Sequence, residues 1–188
     1  MKRMKLLAAA GTLLALTGSP AGAAPAVDAV LKTYADIAHA GYEDSLNTAI
    51  KLQQAVEALV ASPSAEKLAA ARAAWIAARV PYQQTEAYRF GNAIVDDWEG
   101  RVNAWPLDEG LIDYVDTSKY GKESGENRFY TANVIANPKL TIGSEKIDAT
   151  QITKTLLAEK LQEAGGVESN VATGYHAIEF LLWGQDLH

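Results

Sequence analysis

Apolar side chains recur at mixed steps of three and four from Ala26 to Ala61, through Val27, Val30, Tyr34, Ile37, Tyr42, Ala49, Val56 and Val60. That is the period of one long amphipathic helix. The run Ser62-Pro63-Ser64 stops it, with Ser62 as a cap and Pro63 at the first position of a second helix. The second helix reads from Ser64 to about Phe90, is dense in alanine, and carries Pro81, which is expected to kink rather than end it. From Gly91 to Asp148 the periodicity gives way to glycines, asparagines, the acidic residues Asp96, Asp97, Glu99 and Asp108, and the tryptophans Trp98 and Trp105. One short helix is predicted there, from Pro106 to about Val115, followed by a loop from Tyr120 to Ser144 with one small hairpin. A loop of that length inside a compact domain is uncommon unless it is functional or covers a site. Helices resume from Thr150 to Ala164, closed by Gly165 and Gly166, and from Ser169 to Trp183, closed by Gly184. Four substantial helices without a series of strands predict an all-α fold, an up-and-down helical bundle with an irregular insertion.

The N-terminus changes the compartment. Lys2, Arg3 and Lys5 precede a short apolar run and then small residues at Ala21 and Ala23, so residues 1–23 read as a secretory signal peptide and residues 24–188 as the mature domain. The apolar run is too short to span a bilayer. Cleavage after Ala23 would leave 14 basic against 23 acidic residues and move the formal charge from −6 to −9. An acidic body suits cations and does not suit nucleic acid. With no cysteine in the chain there is neither a disulfide framework nor an acceptor for a lipid anchor, and a free periplasmic protein of the bacterial envelope is expected. The chain stops at Gln185-Asp186-Leu187-His188, directly after its most apolar helix, which reads as part of a longer protein.

Candidate chemistry concentrates in the last helix, where His176 and Glu179 are three residues apart and so stack on one helical face. Apolar residues surround the rest of that helix, which makes it central. A buried polar pair there needs partners, and the two explanations are a hydrogen-bonded core pair or a metal site. In the second helix Leu68, Arg72, Trp75, Arg79, Tyr82, Glu86 and Arg89 follow alternating steps of four and three and share one seam. A solvated face accounts for Arg72 but not for the alignment of Trp75, Tyr82 and Glu86, since large exposed aromatics have little reason to line up. In the first helix Asp36, His39 and Glu43 repeat the spacing, with His39 a secondary candidate on what reads as a solvated face. Asp108 and Glu109 sit in the first turn behind Pro106, where the helix dipole already favours carboxylates. Helical bundles assemble metal centres from inward carboxylates and histidines, Glu and His three apart among them. Oxygen and imidazole donors fit iron, manganese, copper or zinc. The zinc-protease pattern H-E-x-x-H and the nucleophile elbow G-x-S-x-G are both missing.

Four stretches, YADIAHAGYEDSL, ARAAWIAARVPYQQTEAYRFGN, VDDWEGRVNAWPLDEGLIDYV and GYHAIEFLLWGQD, together resemble the imelysin-like proteins, which include iron-regulated envelope proteins and an insulin-cleaving membrane protease. The last stretch matches the G-x-H-x-x-E motif at Gly174, His176 and Glu179. The resemblance implies a fold of two related bundle halves, of which this chain is similar to the N-terminal one, with a site in the cleft between them. It implies a site of His176 and Glu179 with Glu86, Arg89 and Asp108 as neighbours. Two functions follow as expectations. The first is binding of a metal, iron favoured, or of a metal-containing ligand in iron acquisition, with His176, Glu179 and Glu86 as ligands, Arg79 and Arg89 holding an anionic co-ligand, Tyr82 lining the site, and envelope iron-transport components as partners. The second is a metallopeptidase of the imelysin type, with Glu86 or Glu179 as base.

Overall fold

The structure is a computed structural model that describes residues 24–142 and 144–185. The leader read at 1–23 and the last three residues lie outside the described residues. Helix α1 runs from Val27 to Ala61 and α2 from Ala65 to Gln84, followed by a single 3-10 turn, Thr85–Tyr88. The two helices pack on each other along most of α2. Ser64, not Ser62, caps α2, its Oγ accepting from the Lys67 N–H at 3.2 Å. Ser62 instead closes α1, its N–H donating to the Ala58 carbonyl. Pro63 therefore precedes the cap and does not occupy the first turn. Pro81 lies inside α2, which continues for three residues beyond it.

The periodicity of α1 located the helix and part of its contact face, since Val56 packs with Leu52 and Ala78, but the N-terminal positions of the same stripe are uncovered. Leu52 is the buried residue of α1, while Val27, Val30, Tyr34 and Ile37 are exposed. The reason is length: at about 1.5 Å per residue, α1 outreaches the shorter α2 by several turns, and the surplus is its N-terminal part.

The region read as irregular holds a further helix, α3, from Ala93 to Val102. Two single-turn helices follow, α4 (Glu109–Ile112) and α5 (Thr117–Tyr120), so the helix expected from Pro106 to Val115 is only one turn long. The small hairpin is present, with β1 (Lys139–Ile142) antiparallel to β2 (Glu145–Asp148) and Leu140 opposite Ile147. The helix expected from Thr150 to Ala164 is reduced to a short wide turn, Leu156–Lys160, and a tight turn, Ala164–Gly166. It breaks because Glu163 takes a left-handed conformation and gives its N–H to the Asn170 carbonyl instead of to the preceding turn.

This insertion has a core of its own, in which Leu111, Phe129, Val134, Ile147, Leu156 and Leu161 cluster. A second cluster of Leu107, Ile112, Ala177 and Phe180 joins it to the last helix, α6 (Gly174–Trp183). A third, around Leu52, Ala78 and Tyr175, joins α6 to α1 and α2. The fold is thus a mostly helical bundle, and α6 is the element common to its two packed regions. Among the described residues no helix is long and apolar enough to cross a membrane.

Candidate functional site

The seam of α2 faces α6, and its polar atoms hold that helix in place. The Trp75 Nε1–H donates to the Tyr175 carbonyl at 2.8 Å. Arg72 donates from Nε and Nη2 to the Leu182 carbonyl at 2.9 and 2.7 Å, supplying cationic donors near the C-terminal end of α6, where carbonyls lack helical partners. Arg72 is therefore a structural clamp, contrary to the solvated face expected for it. The Arg79 guanidinium stands 5.1 Å from the Tyr175 ring centroid, 5.5 Å from Tyr82 and 5.7 Å from Trp75, within the range of cation–π attraction. It also donates to Asn103 Oδ1. These contacts commit Arg79 to packing.

Beyond Arg79 the chain turns, and Glu86 and Arg89 emerge beside α3. Arg89 pairs with Glu99 at 2.8 Å and Asp96 at 3.4 Å, fastening the turn to α3. Glu86 is exposed and makes no ion pair among the described residues. Both line a cavity of about 350 Å³ whose walls include Tyr42, Tyr82, Trp98 and Tyr175. Burial, and secondarily the Glu99 carboxylate, push the Tyr82 hydroxyl up to about 12.

His176 lies on a different face of α6. Its Nδ1 is 3.0 Å from Glu179 Oε2, and its ring centroid is 4.7 Å from that of Trp105. The His176 side chain is 17 % exposed and that of Glu179 42 %, so the pair is neither a sealed core pair nor a freely solvated one. With the carboxylate as acceptor, Nδ1 carries the proton and Nε2 is the ring's remaining ligand atom. Gly174 sets the entry of α6 into this position. It has φ +84°, and an added Cβ would stand 2.5 Å from the Val102 carbonyl oxygen and 2.8 Å from that of Arg101. Thr173 Oγ1 donates to the same Arg101 carbonyl at 2.9 Å. Glycine in the motif is thus required by a backbone approach between α6 and the end of α3.

The other candidates lie elsewhere. Asp108 accepts from Asn127, from Ser169 Oγ at 2.7 Å and from the Tyr120 hydroxyl at 3.4 Å. Asn127 and Asn170 are buried and exchange side-chain hydrogen bonds at 2.7 and 2.9 Å. Asp108 therefore anchors the insertion, and its side chain does not cap α4. His39 is exposed on α1, and its neighbour Asp36 pairs with Lys32 at 2.6 Å. Among the described residues no three His, Cys, Asp or Glu side chains come together as a metal-holding group. Tyr82, Glu86 and Arg89 are brought together; His176 and Glu179 form a separate pair. Sequence reasoning missed Trp105 as the partner of His176, Glu99 as the partner of Arg89, and the Asn127–Asn170 bridge, because each contact joins residues distant in the chain or separated by a turn.

The sequence pattern of the imelysin family matches residues 38–188. Iron-regulated protein A of Synechococcus elongatus is 41 % identical over 64 residues, which cover 34 % of this chain and 18 % of that protein. With most of its length matched, the chain belongs to the imelysin family.

Proposed function

We propose that this chain is an exported protein of the bacterial envelope that binds a metal, iron above others, and takes it up in the form of a small metal-containing ligand in iron acquisition. The observation that carries the reading is the His176–Glu179 pair at 3.0 Å. A carboxylate on Nδ1 fixes the imidazole ring and leaves Nε2 to coordinate, the service that outer partners perform for metal-binding histidines. One imidazole with one partly exposed carboxylate is too small a donor set for a bare ion. A chelated ion, whose other positions the chelator fills, needs only one such donor. Trp105 against the imidazole adds an apolar surface for the chelator. The similarity to Iron-regulated protein A supports iron over other metals. Glu86 falls outside the coordination in this reading, since it lines the cavity that Tyr175 faces.

A peptidase centre would need three protein ligands and an open position. The described residues offer His176 and Glu179, so binding is proposed rather than hydrolysis. The test is calorimetric titration with ferric citrate, ferrous, cupric and zinc ions, wild type beside His176→Ala. Stoichiometric uptake of ferric citrate that the variant loses is the expected result. Uptake unchanged in the variant would remove His176 from the site.

A further inference from the structure

We propose that the cavity enclosed by α1, the turn after α2, α3 and Tyr175 is a second binding site, for a small organic cation with an ammonium group on an apolar, preferably aromatic, body. It goes beyond the metal reading, because the cavity is lined by Tyr175 and not by His176 or Glu179. Its volume of about 350 Å³ lies in the range of small-molecule sites.

The sign of the ligand's charge follows from what the lining groups already do. Arg89 would otherwise make this an anion site, but its guanidinium is matched by Glu99 at 2.8 Å and Asp96 at 3.4 Å. Glu86, on the same wall, has no cationic partner within ion-pair distance among the described residues. The lining therefore carries an uncompensated carboxylate. Arg79 is not part of the lining: it stands against the Tyr82 and Tyr175 rings and donates to Asn103. An entering anion would therefore meet Glu86 without a free cation on the lining, whereas an ammonium would complete it. The body of the ligand is specified by the walls. Tyr42, Tyr82, Trp98 and Tyr175 line it with aromatic rings that cover apolar groups; Tyr82 and Tyr175 already take Arg79, so the cation-attracting faces offered to a ligand are those of Tyr42 and Trp98. Trp98 is 63 % exposed, so apolar surface is left uncovered where a ligand would shield it. The Tyr82 hydroxyl, held up at about 12, stays protonated and adds no negative charge of its own.

Phenethylamine, phenethyl alcohol and hydrocinnamate are near-isosteric probes that differ in charge. Isothermal titration of the intact chain should show phenethylamine binding roughly tenfold more tightly than phenethyl alcohol, from one exposed ion pair plus ring contacts, and hydrocinnamate binding most weakly. Glu86→Gln should bring phenethylamine down to the affinity of the alcohol and leave the alcohol unchanged. Trp98→Ala should weaken both. Equal binding of amine and alcohol by the wild type, amine binding that Glu86→Gln does not alter, or no binding of any probe would each overturn the proposal.

Discussion

Replacing Gly174 by alanine tests the close approach between α6 and α3. The new methyl would lie 2.5 Å from the Val102 carbonyl oxygen and 2.7 Å from its carbon, both backbone atoms that cannot rotate away. At φ +84° an L-residue also enters the left-handed region, at a cost of about 1–2 kcal/mol. Forcing a methyl into a filled space costs about 1–3 kcal/mol more. The sum, roughly 2–5 kcal/mol, is a large part of the 5–15 kcal/mol that holds a typical domain together. For a chain of this length that corresponds to a fall in melting temperature on the order of 10 °C. Gly100, inside α3, is the internal comparison, because a Cβ there meets nothing within 4 Å. Gly100→Ala should raise stability by about 0.5–1 kcal/mol through the lower entropy of its unfolded chain. Thermal unfolding followed by circular dichroism reads both variants against the wild type. A Gly174→Ala protein melting within about 1 °C of wild type would mean that α6 can leave the end of α3 at little cost, and the geometric account of the motif glycine would be wrong.

Asn170→Ala should cost about 1–3 kcal/mol in urea unfolding, since it removes one donor and one acceptor from the buried Asn127 amide, which keeps Asp108 and the Phe129 N–H, and takes the side-chain donor from the Ala164 carbonyl; a loss below about 1 kcal/mol would show that the bridge is not structural. Trp75→Phe keeps an aromatic ring beside Tyr175 but removes the donor to its carbonyl, and a loss of about 1–2 kcal/mol is expected by the same measurement. Tyr82 gives a pH dependence on the alkaline side. Its hydroxyl lies at about 12 in the folded state against 10.0 for the free group, so between those values the folded chain keeps a proton that the unfolded chain releases. The associated stability is present below the lower value and is lost as pH rises toward the upper one. Stability measured across that window should fall less steeply in Tyr82→Phe, and equal slopes in the two proteins would contradict the assignment.

The long periodic segments were the legible part of the sequence. Thirty-five residues of regular apolar spacing in α1, and the alanine-rich α2 with its serine start, state their helical nature locally. The seam of α2 was also readable as an inward face, because aromatics and arginines at alternating fours and threes have few other uses. Helix α3 was hidden by Asp96, Asp97 and Glu99, which obscured the fourfold spacing of Ile94, Trp98 and Val102. The false helix at Thr150–Ala164 had the right period, but there tertiary hydrogen bonds from Asn170 outweighed local propensity. At the site, the spacing of His176 and Glu179 announced their contact. It could not announce that Glu86 would face a different cavity, that Arg89 would be neutralised by α3, or that Asp108 would serve the insertion. Those are facts of how distant segments meet, and periodicity carries no information about them.

Tyr175 and His176 are consecutive in α6, and successive helical residues point about 100° apart, so one helix is a party wall between the aromatic cavity and the imidazole. Neither end of that wall is loose, with Thr173 tied to Arg101 and Leu182 tied to Arg72. A tilt of the helix that improves the fit on one side must therefore be felt on the other. Were both proposed sites to take their ligands, thermodynamic linkage would make the effect mutual: whatever factor an occupant of the cavity applied to affinity at His176, an occupant at His176 would apply in return to the cavity.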